Sequence, residues 1–231
     1  MPARVGLSLS KEVEDIIIAD LALTFAFMLV LGGGITGIRS SSGSLPSLFV
    51  ISLVAVSLSF ILHEMMHKFV AQHFGAIAAF RKSDNGIIIT LITAMFGFMV
   101  GIPGATVIYT QNFTKKEDGY VSLAGPLTNF AVFAVFFAIS MFATNSGEFV
   151  SSLLTTTMLV SLILAFFNML PIYPLDGSKV LRWNKAVYVT VLAVIFALLL
   201  LVFPTSDIIF SLAFMLAIAF VMSLMFRGIS F

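Results

Sequence analysis

The chain has 231 residues, of which 60% are hydrophobic and only 10% charged, with a mean hydropathy of +1.12. Such values lie far outside the range of soluble domains and point to an integral membrane protein resident in the lipid bilayer. A net charge of +1 without a basic cluster gives nucleic acid no footprint, and the lack of cysteine excludes disulfides and thiolate metal sites, so any metal must be held by His, Asp or Glu.

In chain order, Met1–Ser10 does not read as a cleavable signal, so the first apolar segment is expected to stay in the protein. Segments near the roughly 20 residues that a helix needs to cross a bilayer are read at 14–33, 47–72, 120–143, 150–170, 186–203 and 207–226. A shorter apolar run, 86–101, either crosses or turns back. Residues 78–84 (AAFRKSD) and 104–110 (GATVIYT) on either side of it read as short strands, and Pro103 and Gly104 interrupt the chain behind it. Linkers are short and no repeats occur, which gives a single membrane-embedded domain over 1–231, with a core at 47–185 and a re-entrant region at about 76–110.

Charge decides between the two courses of 86–101. If it turns back, Arg4, Lys11, Lys68, Arg81, Lys82, Lys115, Lys116, Lys179, Arg182, Lys185 and Arg227 share one side and only Arg39 lies opposite. If it crosses, the downstream charges change side and the asymmetry is lost. The positive-inside rule therefore favours re-entry, about six transmembrane helices, and both termini in the cytoplasm. A non-spanning segment at membrane depth must be shielded by protein or line a wet cavity, because lipid cannot satisfy its backbone.

The 47–72 segment ends in the stretch FILHEMMHKF, residues 60–69, which carries His63, Glu64 and His67. Histidines four positions apart on a helix differ by about 40° in direction, so both imidazoles can reach one metal ion. Glu64, one position round, can take a proton from water at that ion. Catalytic zinc sites use three protein ligands. His73 is one candidate, but on an unbroken helix it points about 80° from His63, on the side away from His67, and it reads as an interfacial or loop-facing residue. Asp176 is the better candidate: Pro171 and Pro174 break the preceding helix, so its carboxylate can swing toward the histidines, and with six spans both motifs reach the same membrane face. A merely solvated Asp176 in a turn is the alternative reading.

These motifs resemble those of the site-2 protease family of intramembrane zinc metalloproteases. HEMMHKFVAQHFG (63–75) is similar to the family's extended first motif, NMLPIYPLDG (168–177) to its second, and LAGPLTN (123–129) to the element that opens the intervening span. The resemblance implies an α-helical polytopic fold with a re-entrant, partly β segment after the first motif. It implies one Zn2+ per chain on His63, His67 and Asp176, with Glu64 as catalytic base. By analogy Asn168 and Asn129 are candidates for positioning substrate, although amides in spans also join helices by hydrogen bonds. Ser178 stands where the family often has a second glycine.

The expected activity is hydrolysis of peptide bonds in or near transmembrane segments of single-span membrane-protein substrates, through an active-site opening on the cytoplasmic side, with regulatory partner proteins as further expected contacts. A metal-binding membrane transporter and a non-catalytic membrane scaffold are the competing functional classes. A transporter has no need of Glu64 beside His63, and a scaffold would be expected to lose a ligand or the base.

Overall fold

A computed structural model of the chain describes residues 8–40, 44–99, 102–109 and 113–203. Helix α1 spans Leu9–Leu31, and the short α2 spans Gly34–Ser40. Next, α3 (Leu45–Val56), one π-helical turn (Ser57–Ile61) and α4 (Leu62–His73) form a continuous 29-residue helix. Pro46 lies in its first turn, where a missing N–H loses no helical hydrogen bond. Gly75, with φ of +80°, turns the chain out of α4 into strand β1, Ile77–Lys82.

The strand β2, Gly104–Tyr109, returns antiparallel to β1, and Ile77 faces Tyr109 across the ribbon while Lys82 faces Gly104. The chain therefore comes back to the end from which it left. Between the strands lies α5, Asp84–Ala94, whose N-terminus is capped by the Ser83 hydroxyl accepting from Gly86 N–H. Its 11 residues reach about 16 Å, well short of a bilayer core of about 30 Å. Both strands expected from the sequence are present.

Helix α6, Lys115–Phe142, opens on a capping box in which Thr114 accepts from Glu117 N–H and Glu117 accepts from Thr114 N–H. Helix α7 (Glu148–Asn168) is followed by the proline-broken segment and by α8 (Asp176–Trp183). Asn184 then caps α9, Lys185–Val202, by accepting from Ala186 and Val187 N–H. The principal core joins α6, α7, α8 and α9 through Phe133, Met158, Leu162, Met169, Val180, Ile195 and Leu199. A second core packs Ala19 and Leu23 of α1 against Val56, Phe60 and Phe80.

Among the described residues, four helices are long and apolar enough to cross a membrane: Leu45–His73, Lys115–Phe142, Glu148–Asn168 and Lys185–Val202. Their outward faces carry exposed Val50, Phe69, Leu127, Val135, Phe149 and Leu201, as expected where lipid is the solvent. Two of the six expected spans are not among them. The segment at 14–33 lies largely within α1, but that helix carries Lys11, Glu12, Glu14, Asp15 and Asp20 and is too charged to count on composition. The segment at 207–226 lies outside the described residues.

Candidate metal centre

The π turn and α4 carry the first motif toward the base of α6. His63 and His67, one turn apart on the same face of α4, are both buried. Their Nε2 atoms lie 3.0 Å apart. The third group arrives from α8: Asp176 Oδ2 is 3.3 Å from His63 Nε2 and 3.1 Å from His67 Nε2. Asp176 occupies the first position of that helix, after the chain has left α7 at Asn168 and passed Pro171 and Pro174. Gly177 is needed there, because a Cβ would stand 2.1 Å from the Met169 carbonyl oxygen. Ser178 N–H and hydroxyl both donate to Leu175 O, so the residue that departs from the family pattern sits in a hydrogen-bonded helix start.

These three atoms fit a metal ion. Tetrahedral zinc with ligands at about 2.0–2.1 Å sets neighbouring ligand atoms about 3.3 Å apart, close to the separations seen here. The Nδ1 atom of His67 lies 2.7 Å from the Val121 carbonyl oxygen, and its N–H donates there, which leaves the Nε2 lone pair turned inward. Burial by itself would raise the Asp176 carboxyl, but the His67 and His63 rings when protonated, a charge whose place a metal cation would take, outweigh it and hold the group below the ordinary carboxylate range. It therefore offers an anionic oxygen. Nδ1 of His63 is buried without a hydrogen-bond partner among the described residues.

Close approach of α6 depends on Gly125. A Cβ at this position would lie 2.5 Å from the Nε2 atoms of both His63 and His67. The LAGPLTN stretch thus brings bare backbone against the two candidate ligands, a role that spacing within the histidine motif does not announce. Asn129, one turn further along α6, is fully buried, and neither its Oδ1 nor its Nδ2 has a partner among the described residues. Asn168 donates to Leu164 O of its own helix at 3.0 Å. His73 is exposed at the end of α4, packed edge-on against Phe74 and away from the cluster. Asp20 accepts from Ser57 Oγ at 2.8 Å, where the π turn begins.

Glu64 turns from the histidines to the ribbon. Its Oε2 accepts from Thr106 N–H at 2.7 Å, and its backbone oxygen accepts from Thr106 Oγ1 at 2.8 Å. In an antiparallel pair, residues whose N–H and C=O do not bind the partner strand point them outward. Phe80, opposite Thr106, likewise gives its N–H to a group outside the ribbon, the carboxylate of Glu12. Glu64 therefore sits on the outer edge of β2. Neither Thr106 nor Val121 could be found from the sequence, since each contributes a backbone group that any residue possesses.

The sequence is 39% identical over 186 residues to the protein named "Putative zinc metalloprotease MJ0611" of Methanocaldococcus jannaschii, covering 78% of this chain and 88% of that one. It is 28% identical over 164 residues to "Zinc metalloprotease MJ0392" of the same organism, covering 71% of this chain and 41% of the relative. It is also 29% identical over 164 residues to "Putative zinc metalloprotease YwhC" of Bacillus subtilis, covering 60% and 69% of the two chains. No protein-family model and no solved structure matches the chain. A likeness that runs through most of both chains at 39% identity, on a membrane scaffold that gathers the His63, His67 and Asp176 motifs, is one of common descent: the chain belongs to the site-2 protease family of zinc metalloproteases.

Proposed function

We propose that this protein is an intramembrane zinc metalloprotease that hydrolyses peptide bonds in or near the transmembrane segments of single-span membrane proteins. One observation carries the reading: next in sequence to His63 of a His63, His67, Asp176 set that could hold a metal, Glu64 places its carboxylate on the outer edge of a β strand. A metal-transport site has no use for a base held at a strand edge, whereas a peptidase has.

When bound, zinc supplies a Lewis acid that acidifies water and polarises a peptide carbonyl. His63, His67 and Asp176 would hold it, and Val121 O fixes the orientation of the His67 ring. Glu64 takes the proton of the attacking water and returns it to the nitrogen of the leaving amine, the two halves of general base and general acid catalysis. A substrate helix must unwind before its carbonyls can react, because they are engaged in internal hydrogen bonds. Apart from the Thr106 N–H that Glu64 holds, the outer edge of β2 directs alternate backbone groups away from β1, which gives the unwound strand a template for β-augmentation. Asn129, buried and unpartnered among the described residues one turn from Gly125, is the better of the two amides for a role toward substrate, since Asn168 is engaged within its own helix.

The return of β2 to the end where β1 began supports a re-entrant loop, and the charge asymmetry of the sequence then favours six spans with both termini and the active-site opening on the cytoplasmic side. Single cysteines at Ser83 and Lys116, in a chain with none, should both react with an impermeant reagent from the cytoplasm. Labelling from opposite sides would mean that the intervening segment crosses. The activity itself is tested by proteomics of membranes from cells holding active or Glu64→Gln protein. New fragments of single-span proteins are expected with the active form alone. Metal transport by the Glu64→Gln protein in liposomes, without any such fragments, would replace the protease by a transporter.

A further inference from the structure

Beside the outer edge of β2 lies a cavity of about 550 Å³ whose walls include Thr106 and Ile108 of the strand, Lys115 and Asp118 of α6, and Lys179 and Arg182 of α8. Three cations face one acid there. Arg182 is committed to Asp118 at 2.7 Å, but among the described residues neither Lys115 nor Lys179 pairs with a carboxylate. Lys179 is half-buried and lies one turn after the metal-ligating Asp176 on α8. The cavity is thus a positively charged recess built from the same two elements, β2 and α8, that carry the Glu64 anchor and the third ligand.

We infer that this cavity is a specificity subsite that receives an acidic side chain of the peptide substrate, on one side of the bond to be cut. The inference rests on the protease reading above. Thr106 and Ile108 are two residues apart, so their side chains share one face of β2, and both are partly buried while Ala105, Val107 and Tyr109 on the opposite face are exposed. A strand added to the β2 edge sends alternate side chains to the Thr106 and Ile108 face, spaced about 7 Å apart. A carboxylate so directed meets Lys115 and Lys179 without displacing an existing ion pair. An anionic lipid headgroup would also be drawn to the lysines, but it makes no use of the strand that forms the wall. The peptide is therefore the occupant that accounts for both halves of the cavity.

The test uses full-length Glu64→Gln protein in nonionic detergent and fluorescein-labelled decapeptides of threonine and valine carrying one Asp, Ser or Lys at successive positions. The Asp peptides should bind about tenfold more tightly than the Ser peptides, at alternate positions only, as one charge-assisted contact would give. In a Lys115→Glu/Lys179→Glu protein the order should invert in favour of the Lys peptides, an outcome that misfolding cannot produce. Equal binding of all three sets, no binding of any, or an Asp preference unmoved by the double reversal would overturn the subsite. So would loss of binding to phosphatidylglycerol vesicles in the double variant with the peptide affinities unchanged, which would make the cavity a lipid site. Hydrolysis by the wild-type protein is scored separately. Inverted preference without hydrolysis would retain the subsite and sink the protease, and hydrolysis with no preference would do the reverse.

Discussion

Both outer edges of the β1–β2 ribbon have a backbone N–H held by a glutamate: Phe80 by Glu12 at 3.0 Å, and Thr106 by Glu64 at 2.7 Å. The surroundings separate the two. Glu12 also accepts from Lys68 Nζ at 2.6 Å, and the same edge is closed further along where Gln72 Nε2 donates to Ala78 O. Nearby, Asp15 and Arg81 form a second ion pair at 3.6 Å. That edge is sealed, with its charge neutralised and its backbone occupied. Glu64 has no lysine or arginine partner among the described residues, and it follows His63 of the candidate metal set directly in sequence. A buried carboxylate with a cation beside it is a fastener, whereas one held by an N–H alone is not committed to an ion pair.

The contrast is broken most severely at the metal. Asp176→Ala should remove nearly all zinc from purified protein, measured by elemental analysis, and His67→Ala should do the same. Full zinc retention without Asp176 would withdraw it from the ligand set. Next, Glu64→Gln should lower hydrolysis by about 10²–10⁴-fold while zinc stays near one per chain, since the base is lost and the ligands are not. Glu12→Gln should behave in the opposite way: zinc content unchanged, but stability reduced by about 1–2 kcal/mol through a half-buried Lys68 without its counter-charge, read as a lower midpoint of unfolding in detergent. Equal losses of hydrolysis in both glutamine variants, with equal stability, would erase the distinction between the two edges.

Smaller changes sharpen it. Gly125→Ala places a Cβ 2.5 Å from both Nε2 atoms and should weaken zinc binding about 10–100-fold by pushing the imidazoles out of register. Gly147, where an added Cβ would meet nothing within 4 Å, is the control, and its alanine variant should bind zinc normally. The mildest change is Thr106→Val, which keeps the N–H on Glu64 and removes only the hydroxyl bond to the Glu64 carbonyl. It should cost about 1 kcal/mol of stability in the same detergent assay with zinc content intact. A loss of zinc there would mean that the ribbon holds the metal site together as well as the base.

Much of this arrangement is legible in the residues themselves. The apolar stretches mark the four described spans because a bilayer demands length and composition and little else. The histidine pair is legible because helical periodicity alone brings positions four apart to one face, and the strands at 77–82 and 104–109 stand out by residue type and flanking turns. Asp176 can be nominated because prolines free its segment from the preceding helix. Its 3.1 Å approach to His67, however, depends on how α8 packs against α6, and on Gly125 and Gly177 allowing backbones to close in. Apolar content alone does not show what holds the start of the first segment, where Glu12 and Asp15 of α1 are fastened to Lys68 and Arg81 by contacts no local pattern reveals. Sequence by itself determined the elements that depend on neighbours along the chain: which segments are apolar, which residues share a helix face, and where helices must stop. Tertiary structure alone decided which strand edge is sealed and which meets Glu64, and where Lys115 and Lys179 converge, because those contacts join residues far apart in the chain through backbone groups and packing distances that residue identity does not encode.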